Sequence, residues 1–110
     1  MKVLFVSSSN SERSPALVKR FSEKKPNHTY SSVGTSKLFC QRKQTTLISQ
    51  QDIDENDLLV FVEDVHFDLV STRFNISDKK TIVLNCGEFK RGMENDEYLN
   101  SAESILSEVL

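Results

Sequence analysis

The apolar residues of this chain fall into short blocks separated by stretches of helical spacing. Val3–Val6 is a continuous apolar run, as expected for a strand covered on both faces. It stops at Ser7, and a polar loop leads to Pro15, which suits the first turn of a helix. Leu17, Val18 and Phe21 then fall one turn apart and give that helix a buried stripe. Pro26 and Asn27 break it, and "HTYSSV" predicts a second short strand ending at Gly34. Leu47 and Ile48 predict a short helix, closed by the polar turn "QQDIDEN". "LLVFV", Leu58–Val62, is the clearest strand. A helix carrying Val65, Leu69, Val70 and Phe74 follows, then a turn at "NISDKK" and a fourth buried strand, Thr81–Leu84. A polar loop runs from Asn85 to about Asn95, and the last helix has the most regular period: Leu99, Ala102, Ile105, Leu106 and Val109.

Short apolar strands alternating with amphipathic helices predict an α/β fold, a doubly wound four-stranded parallel sheet with helices on both faces. No repeat or linker interrupts the pattern, so residues 1–110 read as a single domain. Ligands of such sheets bind at the carboxyl ends of the strands, near the point where strand order reverses. The loop after the first strand lies where a site belongs.

Charge and cysteine content narrow the partners. A net charge of −2 with scattered Lys and Arg gives no footprint for nucleic acid. The first apolar run is too short for a secretory signal core, and no later one could span a bilayer. Cys40 and Cys86 lie far apart and read as free thiols. With His28 and His66 they offer no close metal-ligand pair. A cytosolic protein with no metal, no cofactor and no membrane or nucleic-acid partner is expected.

The loop is Ser7-Ser8-Ser9-Asn10-Ser11-Glu12-Arg13-Ser14. Curled around an anion, its N–H groups would point inward, and the following helix would add its positive end. It contains no Gly, so Asn10 is the residue best suited to positive φ. Arg13 offers a planar fork for two anion oxygens, and Ser14 can donate a hydrogen bond to position 7. A Ser-rich connection whose Arg faces water would share this composition. The whole unit of buried strand, six-residue interval, Arg-Ser-Pro and amphipathic helix favours the anion site.

"VLFVSSSNSERSP" resembles the phosphate-binding loop of low-molecular-weight protein tyrosine phosphatases: apolar strand, Cys, five residues, Arg-Ser-Pro. A short bacterial branch of predicted protein tyrosine phosphatases is most similar. "SSVG", "NDLLVFVEDVH" and "KTIVLNCGEF" match its later segments in order, so the resemblance covers nearly the whole chain. It implies hydrolysis of a phosphate monoester, often phosphotyrosine, in which a Cys attacks phosphorus and a late acid protonates the leaving oxygen. It implies Ser7 at the nucleophile position, Arg13 as anion clamp and Ser14 as the nucleophile's partner. Ser8, Ser9, Asn10, Ser11 and Glu12 complete the phosphate-binding loop, and Asn10, Ser32 and His66 would support it.

Ser7 departs from that family. A thiol can ionise beside an Arg and a helix N-terminus, whereas a hydroxyl cannot. Glu12 is the loop's only candidate base, and neither Cys matches the missing position. Glu12 also brings negative charge into an anion loop, and Ser9 stands where many members have Gly. The late acid is an Asp in the family; here "GEF" offers Glu88, and Asp96 in "MENDEY" is second choice. Tyr30 and Phe39 could line a pocket for an aromatic ring, or Tyr30 could equally be part of the second strand. Ser7 is either an engineered replacement of Cys or the natural residue of a phosphatase-like binder of phosphorylated proteins or small phosphate monoesters. Arsenate reduction on the same fold needs a cysteine relay near the loop, which the positions of Cys40 and Cys86 do not suggest.

Overall fold

The computed structural model describes residues 1–90 and 95–110. Four parallel strands, β1 (Lys2–Ser7), β2 (Thr29–Gly34), β3 (Leu58–Phe61) and β4 (Lys80–Val83), form one sheet in the order β2-β1-β3-β4. The helices are α1 (Arg13–Lys24), α2 (Lys37–Lys43), α3 (Gln50–Glu55), α4 (Asp64–Arg73) and α5 (Asp96–Leu106). Strand β1 therefore sits centrally, where the chain reverses its direction of winding across the sheet.

Alternation along β1 divides the core. Val3 and Phe5 meet Leu17 and Phe21 of α1, and Ala102 and Leu106 of α5. Leu4 and Val6 face Ile53 of α3 and Val70 of α4. Both faces of the sheet are thus covered, and none of the four apolar residues of β1 is more than 1% exposed. Burial of that run is the main favourable term holding the strand in the centre.

Several expected elements differ, and β4 spans Lys80–Val83 as a part-buried strand in place of the expected buried one over Thr81–Leu84. Leu47 and Ile48 are not helical; Leu47 bridges Gly34 in parallel, and the helix is the "QQDIDE" segment expected to be a turn. Ser49 starts it through a capping box with Asp52, and Ile53 alone is buried. Helix α2 has no counterpart in the sequence reading, because Cys40 is its one buried residue. In α4, Val65 and Leu69 are 52% and 36% exposed. The helix instead buries His66 and Val70. In α5, Tyr98, Ala102 and Leu106 are buried while Ile105 is exposed. The part of the polar loop over residues 91–94 lies outside the described residues.

Candidate functional site

The loop from Ser7 to Arg13 lies over the carboxyl end of β1 and the start of α1. The shelf that follows β2 fixes its shape. Thr35 N–H donates to the Ser7 carbonyl (2.9 Å) and Ser36 N–H to the Ser8 carbonyl (3.0 Å). Thr45 Oγ1 donates to the Ser9 carbonyl. Successive carbonyls tied outward are the arrangement in which N–H groups turn to the concave side. Asn10 makes the turn at φ 54°. Its Nδ2 donates to the Ser32 carbonyl at 3.1 Å, so Ser32 supports the loop through its main chain. Gly34 permits the close approach of shelf and loop: a Cβ there would lie 2.6 Å from the Ser8 carbonyl oxygen.

Ser7 and Ser14 are buried beneath the loop with their hydroxyls 2.7 Å apart. Ser14 donates to Asn10 Oδ1 (2.9 Å), and Asn10 N–H donates to Ser7 Oγ (3.2 Å). A hydroxyl has one proton, so Ser14 has none left for position 7, contrary to the expected direction.

His66 and Glu63 join the loop from β3 and α4. Glu63 N–H donates to His66 Nδ1 at 3.1 Å, which places the ring proton on Nε2. Nε2 lies 2.9 Å from Ser8 Oγ and donates to it, leaving Ser8's own proton for an acceptor in the cleft. Burial, reinforced by the Arg13 charge, holds His66 below its ordinary pKa. Arg13 Nη1 donates to Glu63 Oε1. That hydrogen bond holds the Glu63 carboxyl below its usual value, against the opposing effect of burial.

Ser7, Ser8, Arg13, Glu63, Gly87 and Glu88 are among the residues lining a cleft of about 370 Å³. Ser9, Glu12 and Phe89 complete its lining. Asn10 and Ser11 are not part of this lining, and the Ser11 hydroxyl lies 2.7 Å from that of Ser9. Glu88 therefore reaches the cleft, whereas Asp96 pairs with Arg20 at 3.0 Å, between α1 and α5. Tyr30 is not a cleft residue: it packs on Phe5 and Phe21, and its hydroxyl donates to the Lys25 carbonyl. Cys40 is closer to the loop than its sequence position suggests, with Sγ 3.8 Å from the Ser8 and Ser9 carbonyls.

Glu63 is a charged cleft residue that sequence reasoning missed as a site residue, along with Gly87 and Phe89. Its signal was its place directly after the β3 run, three residues before His66. Tyr98 was missed as well. Its ring meets Phe89 edge-on at 5.2 Å and braces the wall that carries Glu88. Burial pushes its phenol up to about 12, so it remains protonated.

No family model matches the chain, and no curated protein matches it. Solved structures do. The YwlE arginine phosphatase from Geobacillus stearothermophilus is 19% identical over 96% of this chain and 86% of its own, with a TM-score of 0.66. The low molecular weight protein tyrosine phosphatase from T. tengcongensis is 18% identical over 97% and 93%, with a TM-score of 0.70. A Cys-to-Ser mutant of YwlE arginine phosphatase with phosphorylated active-site serine is 20% identical over 97% and 90%, at 0.64. The chain therefore has the fold of the low-molecular-weight protein tyrosine phosphatases.

Proposed function

We propose that this chain is a phosphatase-like domain that binds a phosphate monoester, of the phosphotyrosine type, in the loop Ser7–Ser14. The partner is a phosphorylated protein or a small phosphate monoester in the cytosol. The observation that carries the reading is the juxtaposition of Arg13 with Ser7 in one cleft, beneath a loop whose carbonyls are tied outward. A phosphoryl group seated there meets a guanidinium fork, converging amides and a helix N-terminus.

Ser7 binds without turning substrate over. Its hydroxyl does not ionise near neutral pH, and its proton goes to Ser14, which is bonded onward to an amide oxygen that is no base. With Cys at this position the same residues would support hydrolysis. Sulfur would attack phosphorus, Glu88 would protonate the departing oxygen, and water would then release phosphate from the phosphocysteine.

Phosphate titration followed by NMR tests the reading. The amides of Ser8 to Ser14 should shift first, and Arg13→Lys should weaken binding by more than about twofold, roughly 0.4 kcal/mol. Shifts confined to another face of the molecule would remove the loop as the site.

The phosphorylated serine of the YwlE mutant favours a second reading, in which Ser7 traps a phosphoryl group. The Ser7 oxygen–phosphorus bond would form, the donor's bond to phosphorus would break, and the serine proton would leave with the donor's leaving group. A stable phosphoserine at position 7 after incubation with an aryl phosphate, mapped by mass spectrometry, supports this route. An unmodified chain excludes it.

A further inference from the structure

A second cleft, of about 540 Å³, adjoins the first. The two share Ser8, Ser9 and Glu12, so the phosphate loop is the ridge between them. What the second cleft adds is Ser11 and, from α2, Phe39, Arg42 and Lys43. The α2 residues stand at helical spacing i, i+3 and i+4, which puts them on one face. The adjoining side of α2 buries Cys40 against the loop. Ser36 caps the helix start through Phe39 N–H, and Gln44 ends it in the left-handed conformation at φ 56°. Thr45 then bonds to the Ser9 carbonyl. The helix is thus fixed to the loop and presents an exposed ring and two cations beside it. Phe39 is 48% exposed, and neither cation is ion-paired among the described residues.

We propose that this second cleft reads the polypeptide segment flanking the phosphorylated residue: an apolar side chain rests on Phe39, and acidic residues lie against Arg42 and Lys43. The inference rests on the first cleft being the phosphoryl site. Charge complementarity selects the occupant. Glu12, Glu63 and Glu88 line the first cleft, so the cations are displaced to one side of the loop. A uniform polyanion such as RNA would meet all three carboxylates, whereas an acidic segment on one flank of a phosphorylated residue meets only Glu12 of them, beside two cations. If the two cations served only the end of α2 by opposing its dipole, they would be indifferent to a peptide's flanks.

The test uses the full chain and four probes. These are inorganic phosphate, a phosphotyrosine peptide flanked by Leu and Asp residues, the same peptide with Asn for Asp, and a 5′-phosphorylated oligonucleotide. The Asp peptide should bind about five- to tenfold tighter than the Asn peptide, as two exposed charge contacts allow. Arg42→Ala with Lys43→Ala should abolish that preference and leave the affinity for inorganic phosphate within about twofold. Phe39→Ala should weaken both peptides and not phosphate. Phosphate shifts at the loop with equal affinity for the two peptides would overturn this inference alone. Absence of phosphate shifts at the loop would overturn the underlying reading. An oligonucleotide that binds tighter than the Asp peptide, and loses this in the double variant, would overturn the choice of partner.

Discussion

Ser7 donates its hydroxyl proton to Ser14, across 2.7 Å. The direction follows from Asn10, whose Nδ2 is bonded to the Ser32 carbonyl and whose Oδ1 therefore takes the single proton of Ser14. A thiolate at position 7 would require the reverse. Ser14 would donate to sulfur and release Asn10 Oδ1, so the residue at position 7 decides the polarity of the whole relay.

The parent chain should therefore hydrolyse p-nitrophenyl phosphate no faster than buffer does. Ser7→Cys should hydrolyse it with a burst of phenolate followed by slower turnover, the mark of a covalent intermediate. Adding Ser14→Ala should slow that variant about 10- to 150-fold, because a hydrogen bond to a charged group is worth roughly 1.5–3 kcal/mol. Substantial activity in the parent chain would require a nucleophile other than a cysteine at position 7.

Arg13 is held by Glu63 across the mouth of the cleft, where an anion would compete for the same guanidinium. The Glu63 side chain is 46% exposed, and pairs of this kind contribute at most about 1 kcal/mol. Glu63→Gln should accordingly strengthen phosphate binding by up to about fivefold in a calorimetric titration. Weaker binding would show that Glu63 orients Arg13 for the anion and does not compete with it.

Acid should weaken the fold through His66. Its folded pKa lies below the ordinary 6.5 because of burial. Above that value the ring is neutral in both states and its stabilisation is fully present. As pH falls below it, the unfolded chain takes up a proton that the folded ring resists, and stability is lost until the folded ring protonates. Glu63 acts in the same direction lower down: its stabilisation is present above 4.5 and is lost as pH falls through the depressed folded value. The thermal midpoint should drop between about pH 7 and about pH 5, and the slope should flatten in His66→Gln. An equal slope in that variant would assign the loss to another group.

Gly34→Ala should distort the loop. A Cβ there would meet the Ser8 carbonyl oxygen at 2.6 Å and Cys40 Sγ at 2.5 Å. A thiol can rotate away, but the Ser8 carbonyl is main chain and already accepts from Ser36 N–H. We expect a loss of about 1–3 kcal/mol in chemical denaturation, with weaker phosphate binding. Cys40→Ala should not restore either, and full restoration would show that the thiol is the only obstacle.

Strands β1 and β3 were legible because a fully covered strand reads as an unbroken apolar run. Val3–Val6 and Leu58–Val62 have no other economical interpretation in an alternating chain. The loop was legible because Asn10, Arg13 and Ser14 stand at fixed intervals after β1. The region from Thr35 to Asn56 was not. Helices α2 and α3 each bury a single residue, Cys40 and Ile53, so no stripe exists to be read. Helix α4 misled for a different reason. Its inner face carries His66, a polar residue made compatible with burial by two hydrogen bonds, while Val65 and Leu69 face outward. The polarity of the Ser7–Ser14 bond was also beyond sequence, because it depends on which way the Asn10 amide is turned.

The choice between Glu88 and Asp96 can be settled in the Ser7→Cys background. Glu88 borders the cleft, on the wall braced by Phe89 and Tyr98. Asp96 instead accepts from Arg20, which also reaches Glu103 at 3.1 Å and links α1 to α5. A general acid matters most when the leaving group is a poor one. Glu88→Gln should therefore slow an alkyl or unsubstituted phenyl phosphate by about 10²-fold or more, within the usual range for acid catalysis. It should slow p-nitrophenyl phosphate far less. Asp96→Asn should lower the thermal midpoint slightly, through loss of an exposed pair worth under about 1 kcal/mol, and leave the dependence on leaving group unchanged. If Asp96→Asn steepens that dependence while Glu88→Gln does not, the acid comes from the start of α5, and the cleft must close further around its substrate than its present lining indicates.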